Sequence, residues 1–232
     1  MNYKTKNSTR AGFTLVELLT VIVILGILAG IIIPAVSSGE TKAYKAKSQS
    51  NARQIILAYN ALDNPINSDA AHNNATAPYS AQSEYEWAAV LAWRADLNDG
   101  TVWFSEADEL APAIPPTSAW NKTPGAEANN LLTTNLSWTV VADLPRTRSK
   151  STTPIIWSRG LNTDLTWDER PSDTTPGEGV WGTEGGNIGY MDGHVDWSSG
   201  APSLVDPSGA PATDYAAATG VALASIFNEV GE

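Results

Sequence analysis

Few side chains in this sequence are equipped for chemistry, and their arrangement narrows what that chemistry can be. There are two histidines, His72 and His194, and no cysteine. A zinc centre would have to take most of its ligands from carboxylates, and neither a thiolate nor a disulfide is available. No G-x-S-x-G elbow accompanies His194, so a Ser-His-Asp triad has no recognisable nucleophile, and His194 reads as a structural turn residue. Oxygen ligands are better supplied. Past Lys150 the only basic residues are Arg159 and Arg170, against twelve Asp and Glu. Calcium takes several carboxylates and carbonyls in flexible loops, which makes Asp192 and Asp196 candidate Ca2+ ligands. Asp96-Leu97-Asn98-Asp99-Gly100 falls one residue short of calcium-loop spacing and reads as a helix stop. The last chemically odd residue is Glu17, the single ionisable side chain between Phe13 and Gly39.

Glu17 stands at the front of an apolar run that lasts to Val36. About 20 apolar residues span a bilayer as a helix, so residues 13–36 are long enough. A carboxylate in such a helix costs about 2.5–3.5 kcal/mol on insertion scales and needs a partner or a use. Ahead of it, residues 1–12 are polar and carry Lys4, Lys6 and Arg10, a basic leader that keeps its end cytoplasmic. An ordinary signal peptide would be cut near Ala35-Val36-Ser37. The apolar run is longer than the usual ~7–15 residues, however, and an acid near its start weakens that reading.

The helix should outlast the membrane. Ala52, Ile55, Ile56, Tyr59 and Leu62 recur at helical spacing and form one stripe, with Lys42, Lys45, Lys47 and Arg53 off it. Phe13 to Leu62 would be a helix of ~75 Å at 1.5 Å per residue. Pro34, near Gly30 and Gly39, is its expected kink. The chain thus divides into a leader (1–12), a transmembrane half-helix (13–36), an amphipathic half-helix (37–62) and a head (63–232).

Gly12-Phe13-Thr14-Leu15-Val16-Glu17 resembles the processing site of type IV prepilins and type II secretion pseudopilins: a glycine before the cut, a Phe that becomes the new N-terminus, and a Glu five residues into the mature chain. Pro34 falls where many family members carry proline. The resemblance implies cleavage between Gly12 and Phe13 by prepilin peptidase and N-methylation of Phe13. It implies a pairing of Glu17 with the Phe13 amine of a neighbouring subunit, and delivery by an inner-membrane assembly platform into a homo- or hetero-oligomeric filament. Gly26, Ala29 and Gly30 would let neighbouring helices approach closely.

In the head, Asn64–Pro78 reads as a loop. Ser83 and Glu86 form a capping box for a helix from Glu84 to about Ala95 that buries Trp87, Val90, Leu91 and Trp93. Residues 105–135 read as a long irregular connection. Residues 136–141 and 154–158 read as strands, with Arg146, Arg148 and Lys150 in a solvated loop between them. Asp192-Gly193 predicts a two-residue type I′ hairpin, with Ile188 and Tyr190 sharing a face with Val195 and Trp197. This hairpin is similar to the Asp-Gly-His-Val hairpin of many bacterial prepilin-like proteins, although Gly182 stands where that group usually has a histidine. Asp214–Val230 reads as a final helix, with Leu223, Ile226, Phe227 and Val230 on one face, capped by Thr213 or Asp214 and stopped at Gly231.

The expected fold is α+β and pilin-like: a long N-terminal helix running into a head with a small antiparallel sheet. Net charge is −11, and it falls mostly on the head, which argues against nucleic-acid binding. The expected function is structural and non-enzymatic, in a single-pass bacterial inner-membrane protein with a periplasmic head that later joins a filament. A type II secretion pseudopilus is preferred over an adhesive pilus. The rivals are a membrane-tethered periplasmic binding domain, to which nine Trp could offer sugar-stacking surfaces, and a secreted protein with an ordinary signal peptide.

Overall fold

The computed structural model describes residues 13–62, 65–66, 81, 83–121, 132, 135–171 and 177–227, and within residues 33–38 the helical backbone only. The expected leader with Gly12, the expected loop carrying His72, most of 122–134 and the C-terminal Val230 and Gly231 lie outside these residues.

Helix α1 runs from Leu15 to Asn60, 46 residues, with Pro34 inside it. The chain separates after Ala43 into two compact units. In the N-terminal unit, Leu15–Ile32 is long and apolar enough to cross a membrane, and none of it is buried. In the head unit, which begins at Tyr44, the expected stripe is the spine of the core: Ala52, Ile55, Ile56, Tyr59 and Leu62 are all buried.

The rest of the head supplies the surfaces that cover this stripe. Helix α2 (Glu84–Arg94) starts where its capping box predicts, with Ser83 accepting the Glu86 N–H at 3.3 Å. Its Trp87 stacks on Tyr59 at 5.5 Å and donates its indole N–H to the Val141 carbonyl at 3.2 Å. Strands β1 (Trp138–Val141), β2 (Pro154–Ser158), β3 (Gly186–Tyr190) and β4 (Val195–Ser198) are followed by helix α3 (Tyr215–Thr219) and strand β5 (Ile226–Phe227). They form an antiparallel sheet of order β4-β3-β2-β1-β5. Every residue of β1 and β2 is buried, so both faces of the central strands are covered. Ile56 packs on one face so closely that a Cβ on Gly189 would meet its Cδ1 at 2.5 Å. On the other face Tyr215 of α3 packs 5.4 Å from Trp157. The α+β fold expected from the sequence is the fold observed.

Three local expectations are corrected. The β3–β4 turn is not type I′, which needs positive φ at both central residues; among the described non-glycine residues only Asp96, Asp143 and Leu165 have positive φ. Tyr190 instead pairs with His194 around a three-residue loop. The Gly193 N–H donates to the Tyr190 carbonyl at 2.9 Å, and Gly193 sits at φ +97°, a tight turn closed by a left-handed glycine. The extra residue shifts the register by one, and a one-residue slip exchanges the faces. Ile188 therefore pairs with Asp196, while Val195 and Trp197 pair with Gly189 and Asn187. The C-terminal segment is not one helix either. Asp214 caps α3, but Gly220 ends it in the left-handed conformation at φ +66°, and Ile226 and Phe227, placed on a helical face by their spacing, are strand residues paired with β1. Lastly, Arg146 is not merely a solvated loop residue. It donates to the Tyr59 and Leu62 carbonyls at 3.2 and 2.8 Å, with its guanidinium 4.8 Å over the Tyr59 ring, and so closes the C-terminal end of α1. Burial of Tyr59 pushes its phenol up to about 12.

A buried ion pair ties Asp108, between α2 and β1, to Arg159, just after β2. Arg159 Nη2 lies 2.6 Å from Asp108 Oδ1, and both side chains are almost fully buried. Arg159 Nε and Nη1 donate to the Glu178 and Leu136 carbonyls, and Ser137 Oγ donates to the second Asp108 oxygen at 2.5 Å. Breaking one partner of such a pair leaves an uncompensated buried charge. Asp108→Ala is expected to cost about 3–5 kcal/mol in thermal unfolding of the full chain, while Asp108→Leu combined with Arg159→Met recovers most of it. A cost below about 1 kcal/mol for the single change would show that the pair is dispensable.

Candidate functional site

The residues singled out for processing and assembly sit at the start of α1, and their types decide the local geometry. Thr14 and Glu17 are three apart. The Thr14 N–H donates to Glu17 Oε2 at 2.8 Å, and its hydroxyl donates to the same oxygen at 2.7 Å. The Glu17 N–H donates back to Thr14 Oγ1 at 3.2 Å. This is a reciprocal capping box, and it holds the carboxylate at the positive end of the helix dipole. Glu17, expected to need a partner from outside, has one in its own first turn. The signal was present in the sequence as Thr-x-x-Glu, which the membrane context masked. Thr20 Oγ1 also donates to the Glu17 carbonyl at 3.0 Å.

Phe13 precedes the box with its side chain exposed, as are the large apolar side chains from Leu15 to Ile32. Gly26 and Gly30 have nothing within 4 Å of where a Cβ would stand, so the backbone is open there to close approach. Gly12 lies outside the described residues, so the Gly12–Phe13 bond is seen from its Phe13 side alone.

Residues 7–33 match the family model of the prokaryotic N-terminal methylation motif. This is the prepilin-type cleavage and methylation segment, and it points to a pilin-like substrate of prepilin peptidase, held to a bacterial envelope membrane by its N-terminal apolar helix. The match spans part of the leader and most of the apolar run and stops before the head. No curated protein and no solved structure matches the chain.

In the head, the structure brings the acidic candidates round an imidazole. His194 Nδ1 lies 2.5 Å from Asp192 Oδ1, its Nε2 lies 3.7 Å from Asp196 Oδ2, and its ring stacks on Tyr190 at 4.2 Å. Burial raises Asp192, but the backbone and ring hydrogen bonds from His194 outweigh it and hold the carboxyl below its ordinary range. Burial, with help from Asp196 and Asp192, raises Tyr190. A cavity of about 250 Å³ beside the cluster is lined by Ser151, Thr152, Ser203 and Leu204. Asp192 and Asp196, the expected Ca2+ ligands, both face His194, and among the described residues no group of three or more His, Asp and Glu side chains is arranged to hold a metal ion. Of the nine Trp, six are buried: Trp87, Trp103, Trp138, Trp157, Trp167 and Trp181. Trp93, expected on the buried face of α2, is instead exposed and meets Trp120 edge-on at 6.4 Å, a single pair rather than a row of stacking platforms.

The capping box can be tested by itself. Thr14→Val keeps the shape but removes the hydroxyl, and is expected to destabilise the first turn by about 0.5–2 kcal/mol. Faster amide exchange at residues 15–18 in detergent micelles, with Thr14→Ser behaving as the parent, is the expected result.

Proposed function

We propose that this protein is a structural filament subunit of the type IV pilus and type II secretion class, with a type II secretion pseudopilus as the preferred assignment. The observation that carries the reading is the coincidence of the methylation motif with a helix whose apolar half is wholly exposed. A fully exposed apolar surface is unfavourable in water and needs lipid or other helices to cover it. A filament core of bundled helices supplies that cover after the membrane has done so.

In this reading prepilin peptidase cuts between Gly12 and Phe13 on the cytoplasmic side, and Phe13 is N-methylated. The chain waits as a single-pass inner-membrane protein with its head in the periplasm, and an assembly platform adds it to a growing filament. Cleavage removes the charges of Lys4, Lys6 and Arg10 and creates one cation at Phe13. Glu17 then pairs with the Phe13 amine of a neighbour, and because a mismatched neighbour would leave that ammonium unpaired in a dry environment, the pair sets register. Gly26, Ala29 and Gly30 provide close lateral packing. Pro34, which lacks the N–H that would bond the Gly30 carbonyl, provides the bend. The acidic, cysteine-free head supports the secretion assignment over the adhesive one.

The mature N-terminus decides between this and the rivals. Intact mass and N-terminal sequencing are expected to give N-methyl-Phe13; a start near Ser38 identifies an ordinary signal peptide and overturns the proposal. Assembly tests the second half of the reading. Glu17→Ala and Glu17→Lys are expected to reduce filaments sheared from cells to below about a tenth of the parent amount, the factor that corresponds to roughly 1.4 kcal/mol of lost pairing. Parent-level filaments from either variant would remove Glu17 from the assembly step.

A further inference from the structure

Within the head unit, α1 is gripped in two chemically different ways. From Ala52 to Tyr59 the packing is mainly apolar: Ala52, Ile55, Ile56 and Tyr59 are fully buried. The two turns before that, residues 44–51, present polar side chains to the sheet instead. Lys45 lies 3.8 Å over the Trp197 ring and 5.8 Å from the Trp181 ring, with its ammonium 3.3 Å from the Glu184 carboxylate. Trp181 and Trp197 meet edge-on at 5.3 Å, so the ammonium rests in a corner of two indoles and one carboxylate. One turn further on, buried Ser48 accepts a hydrogen bond from Asn187 Nδ2 at 2.9 Å, and the Asn187 N–H is itself held by Ser158 Oγ at 3.0 Å.

These contacts behave unlike the seam above them. An apolar seam resists parting because every exposed carbon is penalised, and it needs no particular geometry. A cation over an indole and an amide-to-hydroxyl bond are directional and local, and water replaces much of what they lose on opening. Lys45 is also partly exposed and reaches the corner on a flexible stem, so it can leave and return without moving the core.

We propose that Lys45, with the Ser48–Asn187 bond behind it, is a latch: it lets residues 44–51 of α1 lift from β3, β4 and the Gly182–Glu184 turn and re-dock while the Ala52–Tyr59 seam stays closed. The latch is a property of the head and does not depend on filament membership, so it stands or falls apart from the assembly proposal.

Amide hydrogen exchange on the full chain in detergent micelles tests it. In the parent, residues 48–51 are expected to exchange faster than 55–59, through a local opening. Lys45→Met keeps the stem and removes the charge, and is expected to speed exchange at 48–51 by about tenfold, the scale of a partly desolvated cation–π contact. Exchange at 55–59 stays at the parent rate, Lys45→Arg retains protection, and Asn187→Ala alone also loosens 48–51. Two results would overturn the latch: parent-like exchange at 48–51 in Lys45→Met, or acceleration of 48–51 and 55–59 together, which would make Lys45 an ordinary contributor to global stability.

Discussion

One helix has to satisfy two different surroundings, and the rest of the molecule follows from that constraint. Leu15–Ile32 is apolar all round and buried nowhere, which suits lipid or a bundle of like helices. From Ala52 the same helix shows a single apolar stripe that is completely covered. A stripe on one side asks for one flat surface, and a small antiparallel sheet is the simplest element that offers one. The strands adapt to the helix in turn. Gly189 has no side chain because Ile56 occupies that space, and Arg146 is placed to take up the carbonyls where the helix stops.

What the apolar stripe cannot reach is held by polar contacts. Among the described residues between α2 and β1 there is little regular structure after the Gly100–Trp103 turn, so their backbone is not satisfied in ladders. Asp108 gathers the Leu110 N–H, the Ser137 hydroxyl and the Arg159 guanidinium at one point, and Arg159 extends the network to the Leu136 and Glu178 carbonyls. A charge pair this deep is expensive to desolvate, and the hydrogen bonds around it are what make it tolerable. Its worth lies in geometry: it fixes which loop meets which strand.

The sequence revealed features whose causes are local. The stripe of α1, the Ser83 and Asp214 caps and the two central strands depend on spacing or on a side chain within three residues of its target. Features that depend on a partner distant in sequence were not legible. Asp108 and Arg159 are 51 residues apart, and nothing in either neighbourhood marks them as a pair. The β3–β4 register failed for a subtler reason. Asp-Gly suits both a two-residue turn and the last positions of a three-residue one, and the choice between them exchanges every side chain from one face to the other. At the C-terminus, Leu223, Ile226 and Phe227 keep a helical spacing, yet Gly220 stops the helix before they are reached and an open edge of β1 takes up the chain. In the candidate site, Glu17 was conspicuous because it is charged. Thr14, equally part of the geometry, looked like filler in an apolar run.

That omission changes the energetics of the proposed assembly. If Glu17 waited in the membrane with no partner, any amine brought near it would be bound with the full relief of an unpaired charge, and the pairing would discriminate poorly between right and wrong neighbours. With the carboxylate already accepting the Thr14 N–H and hydroxyl, an incoming ammonium gains only the difference between a charged donor and these neutral ones. The Thr14 bonds are already charge-assisted through the carboxylate, so an ammonium adds only the attraction of its own charge, which is largest at close, well-aligned approach and falls off with distance. Specificity is a difference of affinities, and a partner in the same turn supplies the competing term. In the proposed assembly the capping box thus lowers the cost of keeping a carboxylate in the bilayer and also sets the threshold that a neighbouring N-terminus has to exceed.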